Sequence, residues 1–167
     1  MHYVICKGYG LEEVHILNAN SKTWNSDDYL EGYCNLGNNN YKKYKEFKDT
    51  YGLGHKECMT ILSGEGDHSA VNTFYRGEFK IKNYNESCII AEKILLIEQY
   101  YDGAKRRGFV YAMLKLFKNP NFQLTEFLQK LKCQPNAITD CLNINQYVSL
   151  IEEIYNYRRR EKVNLRF

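Results

Sequence analysis

The chain has 167 residues, the length of one ordinary domain, with a hydrophobic fraction of 44% and a charged fraction of 26%. That balance excludes a disordered tail, and a net charge of +3 excludes the heavy basic excess of strong nucleic-acid binders. The charge is uneven, with 10 basic and 11 acidic side chains in residues 1–83 against 13 and 9 in residues 84–167.

The predicted elements begin with a β-prone start, His2-Tyr3-Val4-Ile5-Cys6, closed by Gly8 and Gly10. A lone strand is marginal in water, so this start reads as the edge of a larger sheet or as a strand that completes an edge elsewhere. Leu11, Val14 and Leu17 recur at helical spacing, and residues 18–23 have turn chemistry. Ser26 is the expected N-cap of the next helix, with Asp27 and Asp28 in its first turn, Tyr29, Leu30 and Tyr33 on its apolar face and Gly37 at its end. After a loop at residues 38–40, Tyr41, Tyr44, Phe47 and Tyr51 mark a short helix, and His55 to Leu62 another. Residues 63–72 read as a polar loop, and residues 72–83 as a possible hairpin or extended arm turning at Arg76-Gly77. Helices are then expected at Ser87 to Tyr101, Arg106 to Phe117, around Leu124 to Leu131, and from Asn143 or Asn145 to an end in the basic run at residues 158–160.

The expected architecture is mainly α, one domain over residues 1–167, with a minor β element made of the N-terminal strand and the possible hairpin near 72–83. Its core is expected to hold Leu30, Phe47, Ile61, Leu62, Ile90, Ile94, Ile97, Phe109, Met113, Leu114, Phe127, Leu128, Leu142, Val148, Ile151 and Ile154. Trp24 is expected to anchor the loop beside the first helices. No run approaches about 18 apolar residues, so no membrane span is expected. Six scattered cysteines without CxxC pairing read as reduced, half-buried thiols of a cytoplasmic protein.

Tyrosine is unusually abundant, with 15 copies against 8 Phe and 1 Trp. Tyr suits interfaces, because its ring buries while its hydroxyl keeps a partner, although an A·T-rich coding sequence gives the same enrichment. A homodimer is compatible with such a surface.

The candidate chemistry is thin. His55 and Cys58 at i, i+3, with His68 and Cys34, resemble half of a zinc site, but only one tight ligand pair is present and no metal or other cofactor is expected. No local signature joins a cysteine to a histidine as nucleophile and base, so no catalytic residue is assigned. Gly52-Leu53-Gly54-His55 opens a helix, where free N–H groups attract anions, but its spacing is not that of a phosphate loop.

Three basic clusters remain as candidates for nucleic-acid or partner binding: Lys42, Lys43 and Lys45 among tyrosines; Lys105, Arg106 and Arg107 at a helix start; and Arg158, Arg159 and Arg160 at a helix end. Cations are favoured at a helix C-terminus and disfavoured at its N-terminus, so Lys105 to Arg107 call most for an anionic partner. Converging clusters would track phosphates with steep salt dependence, whereas separate ones would be solvated helix faces.

Residues 8–18 (GYGLEEVHILN), 19–30 (ANSKTWNSDDYL), 77–81 (GEFKI) and 154–159 (IYNYRR) together resemble phage- and mobile-element-encoded ParB-like proteins. The resemblance implies a strand-rich N-terminal part followed by a helical C-terminal region. The DGQHR-type motif and the arginine-rich nucleotide-binding motif of that family are absent, so none of its catalytic residues carries over. It implies a non-catalytic binding protein acting in the bacterial host cytoplasm on nucleic acid or a nucleoprotein complex. One alternative is a stoichiometric, anti-CRISPR-like inhibitor of host defence that binds protein, with Asp27, Asp28 and Glu31 mimicking phosphates. Another is a divergent nuclease.

Overall fold

A computed structural model describes residues 23–64 and 67–166, and the N-terminal strand expected at residues 2–6 lies outside them. Eight α-helices follow in order: α1 Ser26–Asn35, α2 Asn39–Tyr51, α3 His55–Ser63, α4 Asp67–Tyr75, α5 Tyr84–Leu95, α6 Arg107–Leu116, α7 Leu124–Cys133 and α8 Ile144–Tyr155. A 3-10 turn at Asp102–Lys105 leads into α6.

Side-chain caps set several helix starts. Asn25, not Ser26, caps α1: its side chain accepts from the Asp28 N–H at 3.0 Å while Asp28 returns a bond to the Asn25 N–H at 2.9 Å. The side chains of Asn38, Asn83 and Asn143 likewise accept from backbone N–H groups in the first turns of α2, α5 and α8. Each such cap contributes about 1 kcal/mol. Gly52 and Gly64 end α2 and α3 with φ of 61° and 66°, the left-handed region that glycine enters without strain.

The expected hairpin near residues 72–83 is corrected: no strand is present among the described residues. Residues 72–75 belong to α4, so the loop expected at 63–72 is helical from Asp67 onward. Beyond the Gly77 turn, residues 78–82 run as a non-helical strap without a partner strand. Two of its N–H groups find side chains instead. Phe79 donates to the Tyr41 hydroxyl at 3.4 Å and Ile81 to Asn40 Oδ1 at 3.2 Å, while Lys82 donates to the Leu62 carbonyl at 2.9 Å. Backbone groups in a packed interior require such partners, and α2 supplies them where a neighbouring strand otherwise would.

The core has two aromatic centres. Tyr41, Tyr44, Phe47, Phe74 and Phe79 are fully or almost fully buried where α2, α4 and the strap meet. The Phe74 ring lies 5.1 to 6.1 Å from those of Tyr44, Tyr41 and Phe79. Tyr101, Phe109, Phe122, Tyr147 and Tyr155 form the second centre, between the 3-10 turn, α6, α7 and α8. Helix α5 packs on α2, α3 and α6 and joins the two. Gly108 lets α8 come close, since a Cβ there would stand 3.0 Å from the Tyr147 ring.

Most of the expected core is buried, with one correction. Leu142 is 94% exposed because it precedes α8 on the loop that the helix leaves behind. Trp24 is 45% exposed and lies edge-on to Tyr29 at 5.3 Å, and most of the loop it is expected to anchor, between the first two helices read from the sequence, lies outside the described residues. Ile90, Leu114 and Leu128 are half-buried at the margin.

Candidate nucleic-acid interface

The three basic clusters are largely used within the chain. On α2, Lys45 pairs with Glu31 of α1 at 2.5 Å and the Lys43 ammonium stands 5.6 Å from the Tyr84 ring, while Lys42 is exposed. Lys105 pairs with Glu98 at 3.0 Å. Arg106 pairs with Asp140, whose other oxygen accepts from the Tyr101 hydroxyl at 2.6 Å. That hydrogen bond, with the guanidinium behind it, holds the Asp140 carboxyl below its ordinary range. Arg159 binds Glu126 through Nε at 2.9 Å and lies over the Tyr155 ring at 4.8 Å. Arg158 lies over its neighbour Tyr157 at 5.0 Å, and Arg160 is exposed. These pairs tie α2 to α1, the start of α6 to the loop before α8, and the end of α8 to α7. They do not gather the nine cations on one surface.

Arg107 differs from its neighbours. Its guanidinium sits 5.4 Å from the Tyr111 ring on α6, and Tyr111 in turn meets the Thr60 hydroxyl of α3 at 2.6 Å. Arg107, Gly108, Tyr111 and Lys115 form one wall of an open groove of about 900 Å³, and residues 142–153 at the start and face of α8 form the other. A second pocket, of about 370 Å³, lies across Tyr111 between α3, α5 and α6. Tyr111 and Lys115 border both, so the two hollows adjoin along α6. Lys82, Arg107, Lys115 and Lys118 line the pair, against two carboxylates, Glu86 and Glu153. Glu86 is already bonded by the Asn83 amide at 3.3 Å.

Sequence reasoning found Arg107 and missed Lys82, Lys115 and Lys118. They lie on three segments, and Lys82 is more than thirty residues from the others, so no local run marks them. A weak signal existed: Tyr111 and Lys115 fall at i, i+4 and i, i+8 from Arg107, along one helix face.

The other candidates are engaged within the fold. Asp27 Oδ1 meets His55 Nε2 at 3.0 Å and Lys48 at 3.1 Å, which lowers the Asp27 pKa from its ordinary value. His55 Nδ1 lies 3.0 Å from the Tyr44 hydroxyl. Asp28 serves the α1 cap and Glu31 pairs with Lys45, so all three carboxylates proposed as phosphate mimics have partners inside the chain. The buried Cys58 thiol faces the Leu53 carbonyl at 3.7 Å, and burial pushes its pKa up to about 12. Cys34 is half-buried near the end of α1, and the His68 side chain lies outside the described residues. No cluster of three metal-ligating side chains occurs among the described residues. At the start of α3, the Glu57 carboxylate lies close to Gly54, where it leaves no room for a Cβ. No helix among the described residues is long and apolar enough to cross a membrane.

No protein-family model matches this chain, and no curated protein or solved structure matches it.

Proposed function

We propose that this chain is a non-catalytic binding protein of the ParB-like kind, that its target is nucleic acid, free or within a nucleoprotein complex, and that it meets that target along α6. One observation carries the reading: among the described residues, Lys82, Arg107, Lys115 and Lys118 outnumber the carboxylates along two adjoining hollows that share Tyr111. Cations spaced along a channel neutralise successive phosphates, and counterion release then supplies affinity without any base contact. Arg107 at the start of α6 fits an anionic partner, because the helix dipole gives it no local advantage there.

The test is fluorescence anisotropy with labelled single-stranded and duplex DNA at low and moderate salt. Binding should weaken steeply with salt. Arg107→Glu with Lys115→Glu should lower affinity and reduce the salt slope by about one unit per cation removed. Absence of binding at low salt would sink the reading.

A second reading, a stoichiometric inhibitor that binds protein, draws on another face. Trp24 and Tyr75 are 45% and 38% exposed, and both rings pack against Tyr29. Exposed Trp and Tyr grouped in this way are typical anchors of protein interfaces. Co-purification of a host complex, lost on Trp24→Ala and insensitive to Arg107→Glu, would favour it.

A further inference from the structure

We infer that the smaller pocket, between α3, α5 and α6, is a nucleotide-sized site that takes a nucleoside monophosphate, its phosphate held by Lys82 and Lys118 and its ring system resting on Ile61, Ile90 and Leu114. The inference deepens the nucleic-acid reading and rests on it for the choice of an aromatic, phosphate-bearing ligand.

The pocket's size comes first. Its volume of about 370 Å³ lies within the range of small-molecule sites, roughly 300 to 1,000 Å³. A bare phosphate would leave the apolar floor of Ile61, Ile90 and Leu114 wet, whereas a base on that floor removes apolar surface from water.

The rim provides the charge. Lys82 and Lys118 have no carboxylate partner among the described residues, unlike Lys45, Lys48 and Lys105. Glu65 and Gly66 lie outside those residues, and no part of the site is drawn from them. Lys82 is held at both ends of its reach: its N–H is fixed on the Leu62 carbonyl, and its stem crosses Gly64. A Cβ at Gly64 would stand 3.3 Å from Lys82 Cδ, so glycine there leaves room for the stem. The hydroxyls nearby are already committed. Thr60 donates to the Lys56 carbonyl, and Ser87 donates to the carbonyls of Ile61 and Asn83. Lys115 and the Glu86 carboxylate also border the pocket, Glu86 bonded by the Asn83 amide, and the Lys82 and Lys118 ammonium groups supply the phosphate contacts as point charges.

The phosphate has two sources, a free nucleotide or the phosphorylated end of a strand. Calorimetric titration with AMP, adenosine and inorganic phosphate, beside anisotropy with 5′-phosphorylated and 5′-hydroxyl oligonucleotides, separates them. The comparison uses the wild type and Lys82→Ala/Lys118→Ala, whose folding is checked by thermal melt. AMP should bind saturably and about tenfold more weakly to the double variant, as expected for lost charge-assisted hydrogen bonds. Adenosine and phosphate should each bind more weakly than AMP. A 5′-phosphate that strengthens oligonucleotide binding in the wild type alone assigns the strand end, and AMP binding without that effect assigns the free nucleotide. Equal affinity for AMP and inorganic phosphate, or unchanged AMP affinity in the double variant, would overturn the inference. DNA binding without AMP binding overturns the pocket and leaves the broader reading; AMP binding without DNA binding does the reverse.

Discussion

The two aromatic centres use tyrosine differently. Around Phe74, tyrosine hydroxyls serve the backbone. Tyr41 donates to the Phe74 carbonyl at 2.6 Å, Tyr33 to the Tyr75 carbonyl at 2.9 Å, and Tyr44 lies 2.9 Å from the His55 carbonyl. Around Phe109 and Phe122, the hydroxyls also reach carboxylates that hold arginines: Tyr101 meets Asp140, the partner of Arg106, and Tyr155 meets Glu126, the partner of Arg159, while accepting from the Gln123 N–H. Burial pushes Tyr41 up to about 12 and raises Tyr101 and Tyr155 as well, so all three stay protonated donors near neutral pH. The first centre replaces secondary-structure hydrogen bonds, and the second links helices through charge. Their responses to mutation and to acid should therefore differ.

The largest expected effect tests the first centre. Phe74→Ala removes a fully buried ring in contact with Tyr41, Tyr44 and Phe79, and should cost about 3 to 5 kcal/mol in urea unfolding. Tyr41→Phe comes next. It leaves the buried Phe79 N–H without its partner and the Phe74 carbonyl with the Gly77 N–H alone, for about 1 to 3 kcal/mol at every pH from 5 to 8. A loss that varied strongly across that range would break the proposed contrast.

Acid should act on the charged links. Arg159 holds the Glu126 carboxyl below its ordinary value of 4.5, and hydrogen bonds from Tyr101 and Arg106 lower Asp140. A depressed carboxylate stabilises the fold above its unfolded pKa and loses that contribution as pH falls through the folded value. Glu126→Gln should therefore destabilise at pH 7, by about 1 kcal/mol for a half-buried pair, and the difference should close below the mid-4s. Melting curves of both proteins across that interval would show it, and a gap that widens on acidification would rule the linkage out. Leu142→Ser should change stability by no more than about 0.5 kcal/mol, as expected for a side chain almost wholly in water.

From Tyr84 onward the helices were legible, because Ile90, Ile94, Ile97 and then Phe109, Val110 and Met113 repeat at helical spacing. The helix Asp67–Tyr75 was hidden by its composition, Asp, His, Ser and Asn beside glycines, whose local preference is a turn and which tertiary packing overrides. The strap was hidden for another reason. Phe79 and Ile81 look β-prone, but their partners are the side chains of Asn40 and Tyr41, and strand pattern carries no information about such partners. The basic runs were easy to see and proved to be drawn largely into ion pairs and aromatic contacts within the fold. Lys115 and Lys118 are neighbours at the end of α6, and Lys82 joins them only when the strap packs beside that helix.

The strap has a kinetic consequence. The Phe79 and Ile81 amides are anchored to residues 38 and 41 positions earlier in the chain. Their protection against solvent deuterium requires α2 to be docked, since no hydrogen bond along the strap itself supplies it. In an exchange experiment these two amides should open together with the α2 contact rather than with the neighbouring helix ends, making them a reporter of one cooperative unit within the fold.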